Sequence, residues 1–181
     1  MSDITGDGAG GNEAVNKVME RATIFAAENR HEYITVEHLL WSLMHDKSLQ
    51  TVITEIGGRP NIIRNEVENY LNTNIGLIVP TTTLYDGPGH TTALSRVFQR
   101  ALGQYVFAGR TDLSPQGLLL SIMNEEHSYA AYFVQKGGIR RDRLVDYLKK
   151  YDSHESQAEL DEMLEEFCRN LNEESKGGTI I

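Results

Sequence analysis

The chain states the same pattern twice, and this repetition constrains its fold more than any other feature. KVMERA (17–22) returns 79 residues later as RVFQRA (96–101), and TVEHLLWSLM (35–44) returns at the same spacing as SPQGLLLSIM (114–123). Within the second pair, Leu39, Leu40, Leu43 and Met44 correspond to Leu118, Leu119, Ile122 and Met123. Beyond that block the spacing slips to 80, pairing Ser48 with Ser128 and Gly57-Gly58 with Gly137-Gly138. Tyr70-Leu71 then matches Tyr147-Leu148 after a shorter spacer. Blocks that keep their order while loops drift are the mark of a duplicated supersecondary unit.

Each copy reads as four short helices. Val15, Val18, Met19, Ala22 and Ala26 lie on one helical stripe, which Asn29-Arg30 end. Thr35 is a natural N-cap for a second helix, with Glu37 in its first turn near the positive end of the helix dipole. In the second copy Ser114 takes the cap and Pro115 the first helical position, where proline is tolerated. Leu49, Val52, Ile53 and Ile56 predict a third helix stopped by Gly57, and Val67, Tyr70 and Leu71 a fourth. No sustained two-residue alternation occurs, and the β-like GLIVP (76–80) falls in a Thr-, Gly- and Pro-rich connector.

The expectation is an all-α, eight-helix bundle of two four-helix repeats, 13–71 and 93–151, joined by the connector 72–92. Neither repeat is large enough to cover its own apolar face, so the two should pack in pseudo-twofold fashion. Residues 1–12, acidic and Gly-rich, read as a disordered tail. After Tyr151 a polar break, DSHESQ, precedes an acidic segment in which Leu160, Met163, Leu164, Phe167 and Leu171 form a helical stripe. Residues 152–181 therefore read as a linker with an acidic helix.

Several chemistries are excluded. A net charge of −9 is unsuited to duplex phosphates and fits basic protein partners or simple solubility. A single cysteine, Cys168, on an acidic helix is neither a disulfide nor an activated nucleophile. No apolar run approaches the roughly 18 residues of a membrane span, and the N-terminus lacks a signal-peptide pattern, so a cytoplasmic location is expected. HEYITVEH (31–38) looks like a stretched zincin helix, but a zincin needs two histidines four apart on one helix. Here His31 precedes the Thr35 cap, and His38 and His45 are two turns apart. These read as surface or half-buried histidines, and no metal or other cofactor is expected. GDGAGG (6–11) has no strand before it, and no phosphate-binding loop of the GxxxxGK type occurs.

RHEYITVEHLLWSLM (30–44), Gly109-Arg110-Thr111-Asp112-Leu113-Ser114 before the second copy's second helix, and SRVFQRAL (95–102) resemble the Clp N-terminal repeat domain, with ClpA-type unfoldases the most similar. The resemblance covers residues 13–151. FCRNLNEESKGG (167–178) is similar to the stretch that opens the first AAA+ module in those proteins. The resemblance implies a non-catalytic domain that receives adaptors or protein substrates for an ATP-driven unfoldase coupled to the Clp protease machinery. It implies docking of a ClpS-type adaptor through Glu32, Glu37 and Thr91, bordered by Arg30 and His31. A stand-alone adaptor or decoy is the alternative, and the isolated domain is expected to be a monomer. ClpC-like relatives hold phosphoarginine with a glutamate from each repeat; here Glu37 keeps the first position but Gln116 stands at the second. A neutral amide forms no charge-assisted pair with a guanidinium.

Overall fold

The structure is a computed structural model, and it describes the backbone of residues 9–107 and 113–176 and the side chains of 12–104, 113–150 and 161–171. The Gly109-Arg110-Thr111-Asp112 approach and most of the N-terminal tail lie outside the described residues. The elements are α1 (Ala9–Glu28), β1 (Tyr33–Ile34), α2 (Val36–Leu43), α3 (Lys47–Glu55) and α4 (Pro60–Thr73). A 3-10 turn (Ile75–Leu77) and β2 (Gly89–His90) follow, then α5 (Thr92–Phe107), α6 (Pro115–Met123), α7 (Tyr129–Lys136) and α8 (Arg141–Lys176). The chain divides into one compact unit ending at Leu144 and a second beginning at Val145.

Local chemistry sets the helix starts. Thr35, Asp46, Ser114 and Ser128 each accept a backbone N–H with the side chain, capping α2, α3, α6 and α7. The core is the apolar stripe of every helix turned inward: Val18, Leu39, Leu40, Leu43 and Ile53 from the first copy, Val97, Leu118, Leu119 and Val134 from the second, all buried. Helix α2 sits centrally, against α1 and α4 on its own side and α5, α6 and α7 on the other.

The repetition survives in atomic detail. Ser42 donates its hydroxyl to the Val18 carbonyl, while Arg21 reaches the Ser42 carbonyl at 2.7 Å. At the equivalent places Ser121 donates to the Val97 carbonyl at 2.7 Å and Arg100 reaches the Ser121 carbonyl at 2.8 Å. Both serines are fully buried, so each unmade bond would strand a polar group. Ser42→Ala and Ser121→Ala are each expected to lower stability by about 1–2 kcal/mol, and a urea titration that left either midpoint unmoved would contradict this. The second copy adds a clamp: Arg96 and Arg100 grip Glu125 at 2.8 Å each, and the Arg96 hydrogen bond foremost holds that carboxyl down at about 2.

At the turns the structure corrects the expected register. Gly57 (φ 91) and Gly138 (φ 79) are the left-handed stops after α3 and α7, so the spacing there is 81, not 80. The turn bonds agree: Gly58 N–H to Ile53 C=O has its counterpart in Ile139 N–H to Val134 C=O. Ser48 and Ser128 are not counterparts either, because the caps are Asp46 and Ser128 and Ser48 lies inside α3. The two glycine turns meet, with Arg59 N–H donating to the Gly137 carbonyl at 2.9 Å.

Two further features concern the segments between and after the repeats. The connector is held in place: β1 and β2 pair in parallel, Tyr33 with Gly89 and Ile34 with His90, and His31 bridges Ile78. DSHESQ does not interrupt the backbone, since α8 runs through it. Those six residues break the polarity pattern but include no glycine or proline to break a helix. In the second unit the described side chains of α8, 161–171, are all exposed, and among them Met163, Leu164, Phe167 and Leu171 leave an apolar stripe uncovered. Among the described residues no helix is long and apolar enough to cross a membrane.

Candidate functional site: a protein-docking face

The RHEYITVEH segment begins where α1 ends. His31 N–H donates to Ala26 C=O and Arg30 N–H to Ala27 C=O, which closes α1 with Arg30 in the left-handed conformation (φ 54) usually given to glycine. The arginine has a use there. Its guanidinium donates to the carbonyls of Val79, Pro80 and Thr83 and lies 5.1 Å from the centre of the Tyr85 ring. The Tyr85 hydroxyl in turn donates to the His31 carbonyl at 2.7 Å. Backbone bonds complete the join, from Glu32 to Leu77, Val79 to Arg30, Gly89 to Glu32 and Thr91 to Ile34. The connector is thus strapped onto the segment, and Arg30 is the clasp.

Behind the strap the histidines meet. His31 Nδ1 lies 2.7 Å from His38 Nε2, and both rings are buried against Phe25. The Thr35 backbone N–H donates to His38 Nδ1 at 3.0 Å, so that nitrogen carries no proton. His38 therefore holds its proton on Nε2 and donates it to His31 Nδ1. This is a capping box in which an imidazole replaces the usual glutamate. Burial foremost, with His31 adding to it, pushes the His38 pKa down to about 3, and burial also lowers that of His31. The expectation of surface or half-buried histidines is corrected for this pair: His31 is the one histidine before the cap, and the left-handed Arg30 turns it inward. Among the described residues no group of three or more His, Cys, Asp or Glu is placed to hold a metal.

The other expected site residues separate by exposure. Glu32 is exposed. Thr91 is half-buried and caps α5, its Oγ1 accepting Leu94 N–H at 3.1 Å, which leaves the hydroxyl proton free to be donated. Glu37 is buried, 8% exposed, and its Oε1 accepts the Tyr129 N–H at 3.1 Å. One carboxylate therefore serves the first turn of α2 and the N-terminus of α7, where a negative charge is favoured at both. Gln116 lies half-buried in the first turn of α6. Sequence reasoning missed Tyr33 and Ile78, exposed on the strapped face, and Tyr85 beneath it. No local pattern marks them, because Tyr33 meets Gly89, 56 residues away, where an added Cβ would lie 3.3 Å from the Tyr33 ring.

The family model described as the Clp repeat (R) N-terminal domain matches residues 12–137. A ClpA homolog protein from Fuscovulum blasticum is 26% identical over 134 residues, which are 74% of this chain and 17% of that protein's length. Among solved structures, the N-terminal domain of the ClpV1 ATPase from the E. coli EAEC Sci1 type VI secretion system superposes with a TM-score of 0.62 at 16% identity, covering 78% of this chain and 85% of that one. The Hsp104 N-terminal domain from Candida albicans gives 0.60 at 12% identity, covering 71% and 82%. A ClpV N-domain in complex with a VipB peptide gives 0.51 at 16% identity, covering 74% and 85%.

Proposed function

Because the chain belongs to the Clp repeat N-terminal domain family, we propose that residues 13–151 form a non-catalytic docking module of a cytoplasmic Clp-type unfoldase. Residues 152–181 then lead toward an AAA+ module. The module receives a ClpS-type adaptor, or protein substrates, on the strapped face. One observation carries this reading: the face joins exposed Glu32 and Tyr33 to Thr91 through the β1–β2 pair and is held rigid from behind by Arg30 and His31. A face built from two distant segments and fixed by side-chain bonds has little entropy to lose on binding, which favours recognition. A ClpV N-domain that takes a VipB peptide lends the general idea support.

Glu37 enters this reading differently from Glu32. Replacing it with lysine would put a cation at the N-terminus of α7, so Glu37→Gln is the informative change: its amide oxygen still accepts the Tyr129 N–H. Calorimetric titration with a ClpS-type adaptor is expected to give micromolar or tighter binding. Glu32→Lys should weaken it by about 1–2 kcal/mol, as for an interfacial charge reversal, with helicity unchanged by circular dichroism. Glu37→Gln should cost less. Unchanged affinity in Glu32→Lys would remove this face from adaptor docking. No binding by the folded wild type would point to direct substrate capture or to a decoy role.

A further inference from the structure

Away from the strapped face, α7 carries a second surface with a different chemistry. Tyr129 and Tyr132 are 58% and 56% exposed, which is unusual for large rings on an otherwise well-packed helix. They are ordered: Tyr129 stacks on Tyr70 at 4.8 Å, and Tyr132 leans on the buried Phe133 at 5.8 Å. Beside Tyr132 lies a depression of about 530 Å³ with Met123, Ala131 and Ile139 on its apolar walls, and Arg140 and Arg141 on its rim. Tyrosine and arginine beside an apolar hollow are the residue types that dominate binding energy at protein interfaces.

The charge of this corner opposes that of the chain. Lys136, Arg140, Arg141 and Arg143 fall within eight residues and are all exposed. The acidic residues in the same place are Glu66, paired with Lys136, Asp142, paired with Arg140, and Glu126 on the wall of the depression. Four cations against three carboxylates leave this corner positive on a chain of net charge −9. Arg141 donates to the neutral amide oxygen of Asn124, so that bond leaves its charge uncompensated.

We propose that this α7 surface is a second docking site, for an acidic segment of a partner protein that carries an aromatic or aliphatic anchor. The anchor enters the depression against Met123, Ala131 and Ile139. Tyr132 covers it, and Arg140 and Arg141 take the flanking carboxylates, for which the planar guanidinium is suited to bidentate pairing. Apolar docking alone would not select among partners; the cationic rim in an acidic protein does.

The test is fluorescence anisotropy with a labelled peptide, Asp-Glu-Phe-Asp-Glu-Leu-Glu, and two controls. One control replaces Phe and Leu with Ser, and the other replaces every acid with Lys. The acidic peptide with its anchors should bind best and weaken as salt rises from about 50 to 300 mM, as screening shortens the reach of the arginines. Arg140→Glu with Arg141→Glu should weaken binding about tenfold or more, and Tyr132→Ser several-fold, in line with interface hot spots. Arg140 and Arg141 stand exposed at the start of α8, where the helix dipole favours negative charge, so the double variant should stay folded. Glu32→Lys should leave this binding unchanged, which keeps the outcome separate from that of the strapped face. Equal binding of the lysine peptide, unchanged binding by the double variant, or no binding by folded wild type would overturn the proposal. So would a self-association in sedimentation that the double variant abolishes, since the occupant would then be a second copy of the chain.

Discussion

Gly137→Val should destabilise the protein more than any single surface change, by about 3 kcal/mol or more, as expected for overpacking a closed core. The reason is space, not backbone conformation, since Gly137 has an ordinary φ of −75. A Cβ there would lie 2.2 Å from Ile63 Cγ1 and 2.6 Å from its Cδ1. Ile63 is fully buried and cannot swing away, and the Gly137 carbonyl is tied to Arg59 N–H. The strain therefore falls on the seam between the two glycine turns. Gly137→Ala should show a reduced form of the same loss. Gly103→Ala is the matching control: its added Cβ meets nothing within 4 Å inside α5. That change should raise stability by roughly 0.5–1 kcal/mol, the helix propensity gap between the two residues. Urea midpoints for the three variants decide the matter. An unshifted Gly137→Val would mean the seam is looser than its geometry.

The second large effect is a loss of stability in acid, centred on His38. In the unfolded chain the imidazole takes a proton near its ordinary value of 6.5, whereas in the folded protein it does so only at about 3. Above pH 6.5 the ring is neutral in both states and contributes no pH dependence. As pH falls from 6.5 toward 3 the unfolded state binds a proton that the folded state refuses, so stability drops by up to about 1.4 kcal/mol per pH unit. Glu125 acts in the same direction lower down. Its folded value of about 2 against an ordinary value of 4.5 means that its stabilisation is present above pH 4.5 and is lost below it. Between pH 6.5 and 5 the slope therefore belongs to the histidines. The added proton has no vacant place: His38 Nδ1 already accepts from Thr35 N–H, and His31 Nδ1 accepts from His38. Denaturation midpoints at pH 7.5, 6.5, 5.5 and 4.5 measure the slope. A flat profile from 6.5 to 5 would mean that the pair accepts a proton in place.

What could be read from the sequence follows from how far each contact reaches. Stripes such as Val15, Val18 and Ala22, the caps Thr35 and Ser114, and the stop at Gly57 depend on residues within one or two turns, and these stand in the structure as expected. The repeat extended that reach, because each half is a template for the other. The histidine pair was lost because His31 was placed by its position before the cap, while its burial is set by the handedness of Arg30. Glu37 was read in the field of its own helix, and its bond to Tyr129, 92 residues away, leaves no local trace. The glycine turns were misregistered by one residue because GG in each copy invites alignment as a pair. The dihedral angles and the turn hydrogen bonds show that the first glycine of one and the second of the other make the turn.

The parallel pairing of Tyr33 with Gly89 has a consequence for the order of events when the chain is made. A parallel pair between short strands so far apart in sequence cannot form early, because the intervening loop must close first. Helices α1 to α4 can be complete on an emerging chain while the ends of Glu32 and Tyr33 are still open. The strapped face then appears only when residues 89–91 have been synthesised and docked. A chain arrested or cleaved within the connector would lack both this pairing and the second-half helices that α2 packs against. On the docking role proposed for that face, binding would report that synthesis has passed the connector.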